Sequence, residues 1–561
     1  GKYQLIVNTV GQNGTVKPSG GTFDKFTVVK LNATVEPGYR VKWVGTDNDS
    51  SVALSNTVTM DSNKTITVEF VKYVGRTVTV PGNFPTIQEA VNAANDGDII
   101  VVDPGTYYGG SVGVSLLVTK AVTIQSRNPD DPSTVAATII DGYIGLNDWT
   151  NIGVLFGPET DSRTVLNGIT IQNCGGHIAD GDDGDRDNGH PNGEDGGSFE
   201  GAAIRILNGA SPIIKNCIIR DNLVEGGNGG NGENAGTGPD DNPQNAGRGG
   251  WGGWAHGGAI WCGPDSSPKF INCIIENNEA RGGNAGNGGD GDGTGEANYG
   301  GNYSKSQAAD IDPDSLLITP VMGPLWEAWE WDFAADYGII YDEPNLTSYF
   351  GDPRWYSGYG GGAYCDIGSN VTFVNCEIRG NRTEGGMSGI GGVLNDTARN
   401  LDPLISYEIP TYGAGVYCAA ESIVTFTGCT FEDNVASGLP AGVTDPNHSL
   451  DPYLGYGGGV CAQSSAAVVF VDCNFVDNLA DSGGGIYTDD SNVTIMDCNI
   501  ASNDALRGGG FIGVNGLINI LSSDITNNRA IGDVNDPNDD NILTDGAGLY
   551  CWLGGINIQD C

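Results

Sequence analysis

The chain has few basic side chains, few histidines and no long apolar run, and these shortages exclude several classes of protein. Lysine and arginine number 26 against 70 aspartates and glutamates, which gives a formal net charge of −44. Because nucleic-acid phosphates require a basic surface, this charge excludes a nucleic-acid partner. No apolar stretch reaches the roughly 18 residues that a membrane span needs. The acidic composition instead favours cations as partners and an extracellular or cell-surface location.

A secretory signal is absent, and so are metal-site spacings of cysteine such as CxxC. The chain begins at Gly1 without methionine, which fits a processed mature protein. It ends at Cys561 in the middle of a repeat. The end therefore suggests either a longer native chain or a final coil that another segment completes.

What the chain has in abundance is repetition. Seven stretches share one pattern, most plainly VVFVDCNFVDN (Val468–Asn478), VTIMDCNIASN (Val493–Asn503) and INILSSDITNN (Ile518–Asn528). The cysteine position recurs every 25 residues across these three stretches, with serine in the last. Apolar residues stand three before and two after that position. Asparagine stands five after it, as Asn222, Asn278, Asn381, Asn434, Asn478, Asn503 and Asn528.

A fixed period of this length indicates a solenoid or array, and period-two alternation within each stretch indicates β-strands. We predict an all-β chain: a right-handed parallel β-helix of about ten or more coils, stacked at roughly 4.8 Å. The asparagine column should form an amide ladder at a bend, where asparagine tolerates the left-handed conformation.

The thirteen cysteines fall into two sets. Eight belong to the column just described: Cys174, Cys217, Cys273, Cys376, Cys429, Cys473, Cys498 and Cys561. Five follow a glycine-rich motif: Cys262, Cys365, Cys418, Cys461 and Cys551. We expect small buried residues stacked in the core. Disulfides that join the two sets within one coil are the alternative.

Residues 1–72 are predicted to be a separate small module of short antiparallel strands. The segment Gly38–Gly45 (GYRVKWVG) is similar to the internalin-type B-repeat modules of bacterial surface proteins. That resemblance implies a spacer or an adhesion element.

Residues 73–110 are predicted to form a linker and a cap, and 111–561 the solenoid. Thr86 can cap a helix whose residues Ile87, Ala90, Val91 and Ala94 share one face, before the strand Ile99–Val102. This stretch resembles the N-terminal cap of the pectin-lyase-like right-handed β-helix superfamily. The asparagine column and glycine-rich motifs resemble those of bacterial polymorphic outer-membrane and surface repeat proteins.

Long glycine- and aspartate-rich insertions interrupt the coils, all just after the asparagine column and therefore on one side of the solenoid. They comprise residues 177–198, 225–258, 281–359, 384–412, 437–456 and 529–545. Such sequences are typical of flexible linkers. Because they leave stacked coils side by side, they could instead pack on one another as a layer.

Calcium is the predicted cofactor, because calcium takes carboxylate and carbonyl oxygens and glycine lets the backbone bend around it. The predicted ligands are Asp180, Asp182, Asp183, Asp185, Asp187, Glu194, Asp195, Asp290, Asp292, Asp533, Asp536 and Asp539. A solvated acidic loop is the simpler interpretation.

Sequons predict glycosylation at Asn302, Asn345, Asn370, Asn395, Asn447 and Asn492. Asn370 and Asn492 lie at a bend that could be exposed. Asn381 also lies in a sequon, but as a ladder residue it should be buried and unmodified.

Catalytic patterns known on this fold are not found. His256 lies in the nearest match to a glycosidase motif, without a neighbouring acidic pair, and Arg205, Arg220 and Arg379 do not assemble a basic cluster. Exposed aromatic residues would suit either sugar stacking or a subunit interface. These are Trp251, Trp254, Trp326, Trp329, Trp355, Tyr356 and Tyr359.

We therefore predict a secreted bacterial structural or adhesive protein, such as a fibre, surface-layer or matrix subunit, stabilised by calcium. Its predicted partner is itself, through head-to-tail contact between the N-terminal module and an open C-terminal coil. Extracellular glycans are a further possible partner. The alternative is a polysaccharide lyase, hydrolase or epimerase in which the insertions wall a sugar groove.

Overall fold

A computed structural model of the chain describes residues 1–35, 39–51, 53–72, 75–109, 113–142, 151–185, 190–234, 236–237, 243–244, 249–287, 358–386, 410–437, 455–530, 546–552 and 554–561. Two helices occur in these residues, and strands form nearly all the remaining regular structure. No helix in this part of the chain is long and apolar enough to cross a membrane.

The N-terminal module contains two sheets around one core that includes Leu31 and Trp43. Its strands are Lys2–Val10, Gly14–Lys17, Gly20–Asp24, Val28–Val35, Tyr39–Val44, Ser55–Thr59 and Lys64–Lys72. The predicted antiparallel module is confirmed, with one parallel pair in it: the first strand lies parallel to the last, with Leu5 opposite Lys64. Every other strand pair of the module is antiparallel.

The predicted cap helix is confirmed and spans Ile87–Ala93. Thr86 Oγ1 accepts a hydrogen bond from the Glu89 N–H at 3.1 Å, and Ile87, Ala90 and Val91 are buried. A second helix, Pro132–Ala137, was not predicted; Asp131 caps it by accepting from the Ser133 N–H at 3.2 Å. Both helices begin at a side-chain cap that satisfies a backbone donor of the first turn.

Four parallel sheets form the solenoid, and we number them I to IV. Sheet I contains Thr77–Val80, Ile99–Val102, Thr123–Ser126, Val165–Asn167, Ile213–Lys215, Lys269–Ile271, Asn370–Val374, Ile423–Thr427, Ala467–Val471, Asn492–Met496, Leu517–Leu521 and Gly555–Gln559. Sheet II contains Gly105–Tyr108, Thr138–Asp141, Thr170–Gln172, Ile218–Arg220, Ile274–Glu276, Glu377–Arg379, Thr430–Glu432, Asn474–Val476, Asn499–Ala501 and Asp524–Thr526.

Sheet III lies where the insertions leave the coils. Its strands before the insertions, or in coils that lack one, are Gly175–His177, Leu223–Glu225, Glu279–Arg281, Arg382–Glu384, Val435–Ser437, Leu479–Ser482, Asp504–Arg507 and Arg529–Ala530. Its strands after the insertions are Phe199–Glu200, Ala255–His256, Gly358–Tyr359, Thr411–Tyr412 and Gly455–Tyr456.

Sheet IV contains Val114–Val118, Ile152–Phe156, Ile204–Ile206, Ile260–Cys262, Ala363–Cys365, Val416–Cys418, Val460–Gln463, Ile486–Asp489, Phe511–Val514 and Leu549–Trp552. A two-stranded antiparallel ribbon, Gly236–Thr237 with Pro243–Gln244, lies within the second insertion. These sheets confirm the predicted all-β solenoid with a small module in front of it.

The coil without an insertion explains how sheet III is built. Leu479–Ser482 is one continuous strand, yet it pairs with Val435 at its beginning and with Tyr456 at its end. In the preceding coils those two pairings belong to separate strands, and the insertion runs between them. The described insertions therefore leave the coils on one side, as predicted.

The asparagine ladder is formed, but its conformation differs from the prediction. Asn434 is fully buried and accepts from the Asn381 N–H at 3.1 Å, while its Nδ2 donates to Asn478 Oδ1 at 2.9 Å. The left-handed conformation belongs to the preceding residue, for example Asp433 at φ 54°. That residue turns the corner, which leaves the ladder asparagine free to point its side chain inward.

Two cysteines lie in different columns from those predicted. Cys174 occupies the asparagine column, where its N–H donates to Asn222 Oδ1 at 3.0 Å. Cys461 lies opposite Tyr417 rather than Cys418. Since each coil with an insertion has its own length, spacing alone does not fix these positions. All thirteen cysteines are free thiols, and eleven of them are buried, as expected for core residues.

Candidate functional site

Five glycine-rich segments of the first three insertions pack into one hydrogen-bonded layer, which we name the glycine lattice. Residues 178–185, 226–234 and 282–287 run outward from sheet III, and residues 190–198 and 249–254 return to it. The bonds repeat every third residue: Gly227 and Gly230 N–H donate to Gly197 and Glu194 carbonyls at 2.9 and 2.8 Å. A repeat of three residues, without hydrogen bonds inside a segment, is typical of polyproline II helices.

Outgoing segments also bond to one another. The Gly181 and Gly184 N–H groups donate to the Asn228 and Asn231 carbonyls at 2.7 Å. Gly229 N–H donates in the same way to the Asn284 carbonyl, again at 2.7 Å. For these described segments, the packed layer is therefore the correct alternative and the flexible linker is not.

Glycine is required in this lattice because the segments touch through their backbones. A Cβ atom at Gly253 would lie 1.7 Å from the Gly197 carbonyl oxygen, and one at Gly250 would lie 1.8 Å from that of Glu194. Neither distance is possible for a real side chain. The high glycine content thus serves close backbone approach.

Aspartate and asparagine side chains link the segments across the lattice. Asp180 Oδ1 accepts from the Asn228 N–H at 2.6 Å, and Asn228 Oδ1 accepts from the Asn284 N–H at 3.0 Å. One turn further, Asp183 accepts from Asn231 at 2.6 Å. In the returning layer Asp195 accepts from the Trp251 N–H at 2.9 Å. These side chains therefore accept hydrogen bonds from backbone N–H groups of the neighbouring segments.

The predicted calcium ligands are accordingly spread over the lattice. Asp180 also contacts His177 Nε2 at 2.8 Å, and Asp185 pairs through its backbone with His190. Among the described residues, no group of three or more histidine, cysteine, aspartate or glutamate side chains could hold a metal ion. Asp187, Asp290, Asp292, Asp533, Asp536 and Asp539 lie outside the described residues. Calcium binding stays a prediction.

A cluster of charged side chains lies where the lattice meets sheet III. Arg281 contacts three carboxylates: Glu279 at 2.6 Å, Glu384 at 2.9 Å and Glu225 at 3.2 Å. Glu384, with only 2% of its side chain exposed, also pairs with Arg382 at 2.5 Å. Such a buried carboxylate persists only when it is paired.

Beside this cluster opens a polar cleft of about 310 Å³. We name it the junction cleft; its lining consists of Glu225, Asn228, Arg281, Gly282, Asn284, Glu384 and Gly385. Burial raises the pKa of the nearby Glu279 carboxyl, and the Glu384 charge adds to this, although Arg281 opposes it. For Arg281, burial alone would lower the pKa, but Glu279 and Glu384 raise it overall.

Sequence reasoning missed this cluster, although a signal was present. Glu225, Arg281 and Glu384 each stand three residues after a ladder asparagine, so they face the same way on successive coils. On sheet II, Arg379 pairs with Glu276 at 2.8 Å, and Arg220 lies in the same column.

The aromatic residues form a second core that is separate from the main core of the solenoid. Tyr359, predicted to be exposed, is only 1% exposed and stacks on Tyr412 at 5.0 Å between ring centroids. His256 stacks between Trp254 and Tyr364 at 4.1 and 4.3 Å, which explains its place without catalysis. Trp251 and Trp254 are half-buried. Trp326, Trp329, Trp355 and Tyr356 lie outside the described residues.

The described sequons differ in exposure as expected. Asn370 and Asn492 are exposed at the start of their strands, while Asn381 is fully buried in the ladder. Asn302, Asn345, Asn395 and Asn447 lie outside the described residues. Glycosylation stays a prediction at all six sites.

Comparisons with known proteins address the architecture. Residues 361–559 match the family model of the right handed beta helix region, and residues 3–73 match that of the divergent InlB B-repeat domain. No curated protein matches the chain.

Solved structures similar to the chain include three matches of low identity. Geobacillus virus E2 ORF18 shows 12% identity and a TM-score of 0.32, over 86% of this chain and 60% of that chain. An alginate lyase from Paenibacillus sp. str. FPU-7 shows 10% identity and a TM-score of 0.28, over 86% of this chain and 99% of that chain. Pectin methylesterase from carrot shows 10% identity and a TM-score of 0.25, over 87% of this chain and 89% of that chain. The match thus spans 60% of the length of the viral protein.

The sheets and the two family matches together identify an InlB B-repeat-type domain followed by a right-handed parallel β-helix.

Proposed function

We propose that the protein is an extracellular surface protein with a structural or adhesive role, whose solenoid holds the glycine lattice as a stiff lateral layer. The observation that carries this proposal is the lattice itself. Segments that would be flexible alone bond to each other through regularly spaced backbone groups, such as Gly286 N–H to the Gly250 carbonyl at 2.8 Å.

The chemistry of the surface supports the same role. Asp180, Asp183 and Asn231, whose side chains link the segments, are also exposed and give the layer a polar surface. The net charge of −44 keeps such a surface solvated. The InlB-type module at residues 3–73 suits a spacer or adhesion element.

Immunogold labelling of intact native cells tests the location. Antibodies raised against residues 178–198 should label unpermeabilised cells, with an antibody to a cytoplasmic protein as the negative control. Labelling that occurs only after permeabilisation would contradict the proposal.

Self-assembly and calcium dependence are finer parts of the proposal, and electron microscopy of the native material addresses both. Regular fibres or layers that loosen when a chelator is added would support both parts. Fibres that persist in chelator would support assembly without calcium. Single particles under both conditions would remove assembly.

A polysaccharide-active enzyme is the second candidate, and one observation favours it. Glu279, with a raised pKa, lies beside Arg281 next to the junction cleft, as a general acid beside a basic group could. Incubation with acidic and neutral polysaccharides should then produce new reducing ends, and the Glu279→Gln variant should lose this activity. A wild-type protein that cleaves none of them would remove this candidate.

A further inference from the structure

We propose that the junction cleft binds a neutral, hydroxyl-rich saccharide. This inference goes beyond the structural role and does not depend on it. It rests on the pairing of the cleft's charges, the hydrogen-bonding capacity of its lining and its size.

The charges of the cleft are already paired with each other. Arg281 contacts three carboxylates between 2.6 and 3.2 Å, and Glu384 has a second partner in Arg382 at 2.5 Å. A charged ligand would have to break one of these pairs, and an unpaired charge in a half-buried site is unfavourable. A uronate would also meet three carboxylates against two guanidinium groups.

Hydrogen-bonding groups remain for a neutral ligand. A carboxylate has about four lone-pair sites. Within the described part of the chain, the Glu225 carboxylate contacts only Arg281, at 3.2 Å, and His177, at 3.5 Å. Asn228 Oδ1 accepts from the Asn284 N–H, and its Nδ2 donates to no described residue. The lining thus offers both acceptors and donors.

Hydroxyl groups fit such a lining because each can donate to a carboxylate and accept from an amide. None of the described residues that line the cleft has an apolar side chain, which disfavours an apolar ligand. Its volume of about 310 Å³ lies at the lower end for ligand pockets. One or two sugar residues at the end or side of a glycan therefore match it best.

The lattice supplies a matched pair of variants. Aspartate is tolerated at this lattice position, since Asp180 occupies it in the first outgoing segment and accepts from Asn228. Asn228→Asp should therefore keep the lattice bond while it replaces the amide donor of the cleft with a negatively charged carboxylate oxygen. Asn231→Asp makes the same change one turn further out, where Asn231 accepts from the Asn287 N–H at 2.9 Å. Asn231 does not line the cleft.

Saturation-transfer NMR and calorimetry on the full chain test the proposal with neutral hexose and N-acetylhexosamine trisaccharides and with trigalacturonate. We expect at least one neutral trisaccharide to bind wild type and Asn231→Asp equally, and Asn228→Asp at least about tenfold more weakly. Trigalacturonate should not bind. If Asn228→Asp fails to fold, Glu225→Gln should show the same loss.

Three outcomes would overturn the inference. They are binding of trigalacturonate as tight as that of the neutral sugars, absence of binding by every neutral sugar, and unchanged affinity in both folded cleft variants. Unchanged melting temperatures would establish that the variants remain folded.

Discussion

At the residue scale, the stability of the asparagine ladder depends on a single side-chain atom, the amide nitrogen Nδ2 of each asparagine. Asn434 is fully buried, and its Nδ2 donates to the Ile378 carbonyl at 2.8 Å and to Asn478 Oδ1 at 2.9 Å. Asn434→Asp would place a carboxylate oxygen against these two acceptors. We expect it to lower the free energy of unfolding by about 3 kcal/mol or more, measured by urea denaturation.

The matched control is Asn375→Asp, which makes the same chemical change at an exposed corner. Asn375 has φ 50°, a conformation that aspartate tolerates, and its Nδ2 bonds Asn272 Oδ1 at 3.4 Å. Its cost should stay below about 1 kcal/mol. Equal losses in the two variants would contradict the role given to burial.

Glu279 gives the protein a pH dependence of definite sign. Its pKa is raised in the fold chiefly by burial, so the folded state holds this proton more tightly than the unfolded chain does. Stability from this group is therefore present below the unfolded pKa of about 4.3 and declines as pH rises through the folded pKa.

Replacing Glu279 by glutamine removes that decline. The change in melting temperature from wild type to Glu279→Gln should be more positive at pH 7 than at pH 4. Glu377→Gln is the control, because Glu377 is half exposed and pairs with Arg379 at 3.0 Å. A larger pH effect in the control than in Glu279→Gln would show that burial is not the cause.

Residue positions could be predicted where the period is undisturbed. Asn478 and Asn503 lie 25 residues apart, and both were placed correctly in the ladder. Cys174 was misplaced because 48 residues separate it from Asn222, its neighbour in the column. An insertion of unknown length removes the spacing that alignment needs.

At the scale of elements, the glycine lattice depends on the absence of side chains. Gly253→Ala would bring its Cβ to within 1.7 Å of the Gly197 carbonyl oxygen, so the two segments must separate. Gly253 N–H donates to the Gly227 carbonyl, and Gly227 N–H donates to the Gly197 carbonyl. We expect amide hydrogen exchange at Gly253 and Gly227 to accelerate by at least about tenfold.

The control for the lattice is Asn287→Ala. Asn287 is exposed, and its backbone N–H would still donate to Asn231 Oδ1. Its exchange pattern should resemble that of wild type. Unchanged protection in Gly253→Ala would show that close packing of these segments is not needed.

Elements that depend on residues close together in the sequence could be predicted from the sequence. The Thr86 cap and the apolar face of the helix Ile87–Ala93 lie within one short stretch, so the sequence sufficed. The lattice joins Asp180 to Asn228 over 48 residues and Asn228 to Asn284 over 56. Glycine-rich composition allowed both a linker and a layer, and only the contacts decide between them. The same holds for the charge cluster around Arg281.

At the scale of the whole molecule, the thiols report on the integrity of the solenoid. Cys561 is exposed and Cys551 half-buried, whereas the other eleven cysteines are buried. In the folded protein, iodoacetamide should modify Cys561 first and Cys551 slowly. After denaturation without reductant, all thirteen should react, as peptide mass spectrometry would record. Any cysteine pair that reacts only after reduction would reveal a disulfide and contradict the free-thiol core.

The split of sheet III has a consequence for how such a protein can change. Leu479–Ser482 completes its coil without an insertion and still pairs with both halves of the preceding coil. The strand pairing of sheet III is therefore kept whether or not a coil carries an insertion at this point. A coil can gain or lose a loop while the neighbouring coils keep their pairing. A foreign peptide grafted after Asp481 would be displayed beside the native insertions. This coil is therefore a suitable insertion point both in evolution and in protein engineering.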